Sequence, residues 1–399
     1  MLALAAIFVI PARAELTTPA TGQVSAGATH TLALKRDGTV WAWGKNNVGQ
    51  LGDGTLGPRT APIQIPGLSG VVAVAAGRVH SLALTKDGKV WAWGDNSSGQ
   101  LGDGTTVPRQ RPVPVNNLTQ VTAIAAGGRF FSVALKSDGT VWTWGENAVG
   151  QLGDGTNTPR LRPVAVPNLV NVSAISAGRG HVLALQRDGS VWAWGWNGMG
   201  QLGDGTQIDR TRPVQVRNVN DATAISAGSL THSLALRSDG LVLAWGNNYS
   251  GQLGDAALPQ RPIAKLVPGL ADIVAISAGS SHNVAMMGSG AVYVWGSNLA
   301  GQLNRLTPLD HIKPTYPDSW PPDTAMFSAG GDRTVVLTLD GKVLSVGSGN
   351  TGQWGDGTIM GTSTVFADTP EFRQGIVDLP CNWTRAASEW HEARDFPTR

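Results

Sequence analysis

Apolar positions in this chain alternate with polar or small ones in short runs, and the runs recur. His30-Thr31-Leu32-Ala33-Leu34 is followed by Asp37-Gly38 and then by Val40-Trp41-Ala42-Trp43-Gly44. Alternation with a period of two predicts strands with one buried face, and Asp-Gly between two such runs predicts a tight hairpin needing positive φ. An Ala-Gly dipeptide ahead of each unit places glycines at Gly27, Gly77, Gly127, Gly178, Gly228, Gly279 and Gly330, spaced by 50 or 51 residues. So even a spacing over seven copies marks a repeat architecture, in a chain of 399 residues that length alone would divide into about two or three domains.

The turn returns as Asp87-Gly88, Asp138-Gly139, Asp188-Gly189, Asp239-Gly240 and Asp340-Gly341, with Ser289-Gly290 in the sixth copy. The strand after it carries Trp41/Trp43, Trp91/Trp93, Trp142/Trp144 and Trp192/Trp194, then Leu243/Trp245 and Tyr293/Trp295, and decays to Leu344/Val346. Residues two apart share a strand face, so the paired indoles are expected to form a core ladder between packed sheets. A Gly-x-Asn-x-x-Gly-Gln-Leu-Gly-Asp-Gly-Thr loop follows, as in Gly94 to Thr105, and then a Pro-x-Val-x-Val run such as Pro112-Val113-Pro114-Val115. No Walker lysine follows these glycines, and one Asp per loop is too few oxygens for calcium, so the loop reads as a turn whose Asn and Gln satisfy its backbone. Four short strands per unit make a sheet that cannot bury its indole face alone, whereas seven sheets stacked around an axis can. The predicted fold is all-β: a seven-bladed β-propeller of ~50-residue repeats with four-stranded antiparallel blades.

Strand alternation puts the loops after Ala-Gly and after Trp-Gly on one face and the Asp-Gly turns on the other. Repeated residues serve the fold, so a site is expected where the copies differ. On the first face these are Arg78, Arg129, Phe130, Phe131, Arg179, Trp196, Met199, Tyr249, Asp332 and Arg333, aromatic and arginine side chains of the kind that anchor protein interfaces. A second candidate is the degenerate stretch from Asn304 to Phe327, with Asp310, His311, Tyr316 and Trp320, read either as a binding loop or as decay of the repeat. His30, His80, His181, His232 and His282 share one repeat position, which Phe131 fills in the third copy and Thr334 is expected to fill in the seventh. A hydrogen bond within each blade is the role expected of them, rather than a metal ring. No catalytic constellation stands out from the repeat background, and no cofactor or metal is implied.

Composition narrows the picture. The 30 Lys plus Arg and 28 Asp plus Glu leave a net charge of +2, so the chain as a whole offers no polycationic surface for nucleic acid, although local patches stay open. Cys381 is the single cysteine, which rules out an intrachain disulfide. The run from Met1 to Ile10, followed by Pro11-Ala12-Arg13-Ala14, reads as a signal peptide cleaved after Ala14, despite the missing basic residue ahead of it. It is too short to span a membrane, and no other stretch is long enough. The expected organisation is a signal peptide at 1–14, a propeller at 15–380 and an unassigned tail at 381–399. Ile376 to Leu379 is a candidate last strand joining the chain ends.

The pattern Ala-Gly-x-x-His-x-Leu-Ala-Leu, Asp-Gly-x-Val-Trp-x-Trp-Gly-x-Asn, Gly-Gln-Leu-Gly, over about residues 23–358, resembles the repeat of the regulator of chromosome condensation family. That resemblance implies a seven-bladed propeller but no single function, since members include a nuclear exchange factor for a small GTPase, a plant ultraviolet photoreceptor and a secreted inhibitor of β-lactamases. The photoreceptor carries Trp after the repeat glycine, where this chain has Ala28, Arg78, Gly128, Arg179, Ser229, Ser280 and Gly331. The expected function is therefore a secreted or periplasmic, monomeric, non-enzymatic module that presents a loop face to a protein partner, possessing inhibitor-like character. The alternative is an intracellular guanine-nucleotide exchange factor or regulator for a small GTPase.

Overall fold

The computed structural model describes residues 22–369, apart from residues 129, 257, 258, 308 and 360. Within them the chain forms 28 strands in seven four-stranded sheets. Blade one consists of β1 (Gln23–Ala26), β2 (His30–Leu34), β3 (Val40–Gly44) and β4 (Arg59–Gln64), hydrogen-bonded in that order and antiparallel throughout. The next blades repeat the order, through β24 (His311–Thr315) at the outer edge of blade six. Blade seven closes the series with β25 (Thr324–Gly330), β26 (Arg333–Thr338), β27 (Val343–Ser348) and β28 (Thr362–Asp368). Each blade is built from consecutive strands. Among the described residues the ring closes by packing β1 against β25 and β26. The expected signal peptide, the strand at Ile376 to Leu379 and the tail at 381–399 all lie outside the described residues.

The core lies between blades. Leu32, Leu34, Val40 and Ala42 of blade one pack with Val71, Val74, Ala83 and Trp93 of blade two, and the same arrangement recurs around the ring. The expected core ladder forms, but in the four copies that carry two indoles the two are not equivalent. Trp43, Trp93, Trp144, Trp194, Trp245 and Trp295 are fully buried, whereas Trp41, Trp91, Trp142 and Trp192 are half-buried at the margin, with Lys35 lying 4.2 Å over Trp41. Burial of an indole stabilises the fold by about 1.5–3 kcal/mol, provided its N–H finds an acceptor. Trp93 Nε1–H donates to the Gln50 carbonyl of the preceding blade (2.9 Å), and Trp144 to that of Gln100 (2.8 Å). The pattern continues to Trp43, which donates to Gln353 of blade seven (3.0 Å). The glycine after Gln-Leu lies under this indole: a Cβ on Gly52 would sit 2.8 Å from Trp93 Nε1.

A second latch crosses five of the seven seams. His30 Nε2 lies 2.8 Å from Ser81 Oγ of the next blade, and Ser81 spends its proton on the Gln50 carbonyl (2.8 Å). The imidazole must then be the donor, so His30 is the neutral Nε2–H tautomer with no partner at Nδ1. His80 with Ser132, His181 with Ser233, His232 with Asn283 and His282 with Thr334 repeat the contact. The histidines bridge blades, which corrects the expectation of a bond within each blade. Burial pushes their pKa values down to about 3 or 4, with the charge of Arg333 adding to the effect at His30. The ring also explains the Ala-Gly signature, because a Cβ on Gly279 would stand 2.1 Å from the His282 ring.

Two copies depart from histidine. Phe131 in blade three is fully buried, pairs with Gly145 as His30 pairs with Gly44, and meets Val182 of blade four in the same core cluster. In blade seven the residue opposite the matching glycine, Gly347, is Arg333 rather than Thr334. Its guanidinium is fully buried and donates to Thr31 Oγ1 and to the Gln353 (2.7 Å), Gly27 (3.1 Å) and His30 carbonyls, tying blade seven to blade one.

Candidate functional site

The Ala-Gly and Trp-Gly loops share one face, as the strand pattern predicts. The link is explicit in every blade: Lys45 N–H donates to the Thr29 carbonyl (3.0 Å), Trp196 to Gly180 (2.8 Å) and Ser348 to Asp332 (2.9 Å). The long Trp-Gly loops are held rigid by their own side chains. Asn46 Nδ2 donates to Asp53 Oδ1 and the Thr55 carbonyl while its Oδ1 accepts from Leu51 N–H, and Asp53 pairs with Arg59 of the outer strand at 2.7 Å. The loop glycines and asparagines thus build the scaffold of the face, as read from the sequence.

At the centre, the inner strands enclose a narrow channel of about 140 Å³ lined by small residues such as Ser25, Ala76, Ala126, Ser176, Ser226 and Ser277. Five of its serines bind the neighbouring inner strand, as where Ser25 Oγ accepts from Ala76 N–H (3.0 Å) and Ser328 Oγ from Ala26 N–H (3.0 Å). The channel opens at the loop face into a funnel of about 390 Å³ whose wall includes Arg78, Arg179, Ser229, Ser280 and Asp332. Asp332 is solvent-exposed at this mouth, where the surrounding protein pushes its carboxyl above the usual range against a hydrogen bond from Ser280. The Arg179 guanidinium lies 6.0 Å from the Trp196 ring centroid, and its Nε is buried without a hydrogen-bond partner.

The residues singled out from sequence therefore separate. Arg78, Arg179 and Asp332 come together at the funnel, with Trp196 packed behind Arg179 and half-buried Met199 on the same loop as Trp196. Tyr249 stands on the same face, 71% exposed. Phe130 is half-buried with φ 55° in the loop that turns Phe131 inward, and Arg129 lies outside the described residues. Three residues leave the candidate surface. Phe131 and Arg333 are seam residues with no exposure, and Trp320 packs edge-on against Phe327 (6.4 Å) and Phe366 (5.2 Å). The stretch from Asn304 to Phe327 supplies β24, the connection into blade seven and the start of β25.

Sequence reasoning found Tyr249 but missed the exposed aliphatic residues that accompany it on the same face. Of the fourteen large hydrophobic side chains exposed among the described residues, eight lie in the Trp-Gly loops: Leu56, Val107, Ile208, Tyr249, Leu299, Leu306, Leu309 and Ile359. Leu299, 70% exposed, occupies the position in blade six that Tyr249 occupies in blade five. The available signal was the apolar residue in the first few places after Gly-Asp-Gly-Thr, where solvated loops carry polar ones. Among the described residues no group of three or more His, Cys, Asp or Glu side chains is placed to hold a metal, and no helix is long and apolar enough to cross a membrane.

Seven consecutive four-stranded blades, latched seam to seam and presenting interlocked loops on one face, define a repeat propeller of the loop-presenting class. Residues 9–318 match the model of the RCC1-like domain, and the chain belongs to that family. It is 31% identical over 158 residues to the mitochondrial RCC1 domain-containing protein RUG3 of Arabidopsis thaliana, a match covering 39% of this chain and 24% of that protein. It is 32% identical over 131 residues to the RCC2 homologue of Danio rerio, covering 33% and 17%. The matched region thus spans less than a quarter of these curated relatives. Among solved structures, human WBSCR16 is similar at 27% identity with a TM-score of 0.70, covering 81% of this chain and 88% of that one. Yeast RCC1 (Prp20), solved bound to Kap60, is similar at 27% identity and 0.68, covering 77% and 78%, and a further structure of Prp20p is described together with its binding to Gsp1p and histones.

Proposed function

We propose that this chain is a non-enzymatic binding module that presents its loop face to a protein partner. The observation that carries the reading is the concentration of exposed apolar side chains on the Trp-Gly loops, Tyr249 and Leu299 foremost, around a polar funnel. Apolar anchors held on rigid loops with polar groups at the centre suit protein recognition, because little conformational entropy is lost on docking. The apolar run ending at Ala14 supports a secreted or periplasmic setting, in which an inhibitor-like role fits a preformed face. The test is a photo-crosslinking residue at Tyr249 and, separately, at Gly67 in a linker of the opposite face. The same partner should be captured from Tyr249 only, and capture from Gly67 alone would overturn the assignment of the face.

A second reading, an intracellular regulator of a small GTPase, takes its support from the likeness to Prp20p and that protein's binding to Gsp1p. Fractionation with sequencing of the mature N-terminus separates the two, since protein retaining Met1 in the cytoplasm would exclude export.

A further inference from the structure

The charge of the molecule is divided between its two sides. Residues 22–219, forming blades one to four, carry 18 Lys plus Arg against 11 Asp plus Glu, a net +7. Residues 220–369, forming blades five to seven, carry 7 against 11, a net −4. The overall charge of +2 conceals this polarity. At the funnel the same division places Arg78 and Arg179 on one wall and Asp332 on another. Further out, exposed Arg111, Arg162 and Arg212 recur on the outer strands of blades two, three and four, covering Gly54, Gly104 and Gly155 of the preceding blade. None of these three forms an ion pair among the described residues, unlike Arg59, Arg109, Arg160 and Arg210 one turn of the pattern away.

The funnel wall also departs from its own pattern where the arginines stand. The amides of Ala28, Gly128 and Ser229 donate across the seam to the repeat glycine carbonyl of the next blade, and Ser280 donates to the Gly331 carbonyl beside it, at 2.9–3.3 Å. Among the described residues the amides of Arg78, Arg179 and Gly331 make no such bond. Two guanidinium groups without an ion pair, one with a buried unpartnered Nε, and two unspent amides therefore line the same cavity from blades two and four. Planar guanidinium donors match the paired oxygens of a carboxylate better than any other common group.

We propose that the funnel and the rim of blades two to four receive an acidic segment of the protein partner, with carboxylates seated at Arg78 and at Arg179 and further carboxylates following the row of Arg111, Arg162 and Arg212. The inference rests on the loop-face reading above and names the chemistry of the partner. An extended chain fits better than a small anion, because the unpaired arginines run from the axis to the circumference over three blades. Asp332 and the acidic blades repel the same segment and so fix its direction across the face.

The test uses the full chain and a hexaglutamate peptide, with hexalysine, free glutamate and a short DNA duplex as comparisons, read by calorimetry at low and high salt. Hexaglutamate is expected to bind, more weakly at high salt. Arg179→Glu should weaken it about tenfold or more, and Arg78→Glu comparably, because each removes a charge-assisted contact and adds a repulsion. Asp332→Asn should tighten it about two- to threefold. Free glutamate binding as tightly as the peptide, DNA binding more tightly, or hexaglutamate not binding would each overturn the proposal. Circular dichroism and melting of Arg78→Glu, a change at an exposed residue, separate lost binding from lost fold. If the Tyr249 crosslink to the partner persists in Arg78→Glu/Arg179→Glu at unchanged yield, the loop-face reading stands and the acidic-segment inference falls.

Discussion

The seam between blades four and five and the seam that closes blade seven onto blade one do the same work with opposite chemistry. At the first, His181 is neutral, donates one hydrogen bond to Ser233 and leaves Nδ1 unpartnered. At the second, Arg333 is a buried cation, its pKa lowered by burial to about 9, whose guanidinium reaches Thr31 and three carbonyls. The first kind of seam needs its ring uncharged, whereas the second is built around a charge. The interior seams are held by chain continuity as well as by the latch. The closing seam joins residues some three hundred positions apart and has no covalent link between its blades, so a residue with more donors compensates there.

Acid should expose this difference on the largest scale. A histidine whose folded pKa is about 3 or 4 and whose ordinary value is 6.5 takes up its proton first in the unfolded chain. Its contribution is therefore complete above pH 6.5 and is lost as the pH falls toward 4, at about 1.4 kcal/mol per pH unit for each ring. Five such rings together rival the whole stability of an ordinary domain within about one or two units. Urea denaturation followed from pH 7 to pH 4.5 should show steeply falling stability, with proton uptake on unfolding approaching five from these rings. A flat profile over that range would remove the buried neutral latch as the description of these seams.

The next largest effect is expected at the closing seam. Arg333→Ala leaves the Gln353, Gly27 and His30 carbonyls short of donors in a dry site and should cost about 3–5 kcal/mol in denaturant melts at neutral pH. Arg333→His restores the repeat residue opposite Thr31, a hydroxyl partner of the kind that His282 already finds in Thr334. It should recover much of the loss at pH 7 and add one more acid-sensitive seam. Equal destabilisation by Ala and His at pH 7 would show that the closing seam requires the cation itself.

How much of this was legible follows from the range of each interaction. The strands, the Asp-Gly hairpins, the shared face of the two loop sets and the need of the indole for an acceptor are local or set by alternation, and the sequence displays them. The latch was not read, because its acceptor lies about fifty residues on, one place past the histidine position of the following repeat. The signal was nonetheless present: Thr31, Ser81, Ser132, Ser233, Asn283 and Thr334 are polar where the preceding blade offers His or Arg, and Val182 is apolar where it offers Phe131. Arg333 was passed over because the spacing from the repeat glycine varies: His30 follows Gly27 by three places, whereas His232 follows Gly228 by four, so Thr334 fitted as well until strand pairing decided. Of the candidate face, Arg78, Arg179, Asp332 and Tyr249 were found by asking where copies differ. The charge polarity was missed because net charge was summed over the chain rather than by blade.

The covariation of Phe131 with Val182 offers the finest test of the comparison, and the smallest effect. His181→Phe alone places a ring against Ser233 that cannot donate to it, although Ser233 keeps its bond to the Gln201 carbonyl (2.9 Å). A cost of about 1–2 kcal/mol is expected at pH 7. Adding Ser233→Val reproduces the apolar seam of blades three and four, where Trp194 Nε1–H alone serves the Gln151 carbonyl at 3.1 Å. The double variant should recover most of the loss, so the two changes are coupled in a double-mutant cycle, and its proton uptake on unfolding should fall by one relative to the parent. Additive losses would mean that the seams are set by packing around each residue separately. Recovery with unchanged proton uptake would mean that His181 is already charged in the folded protein.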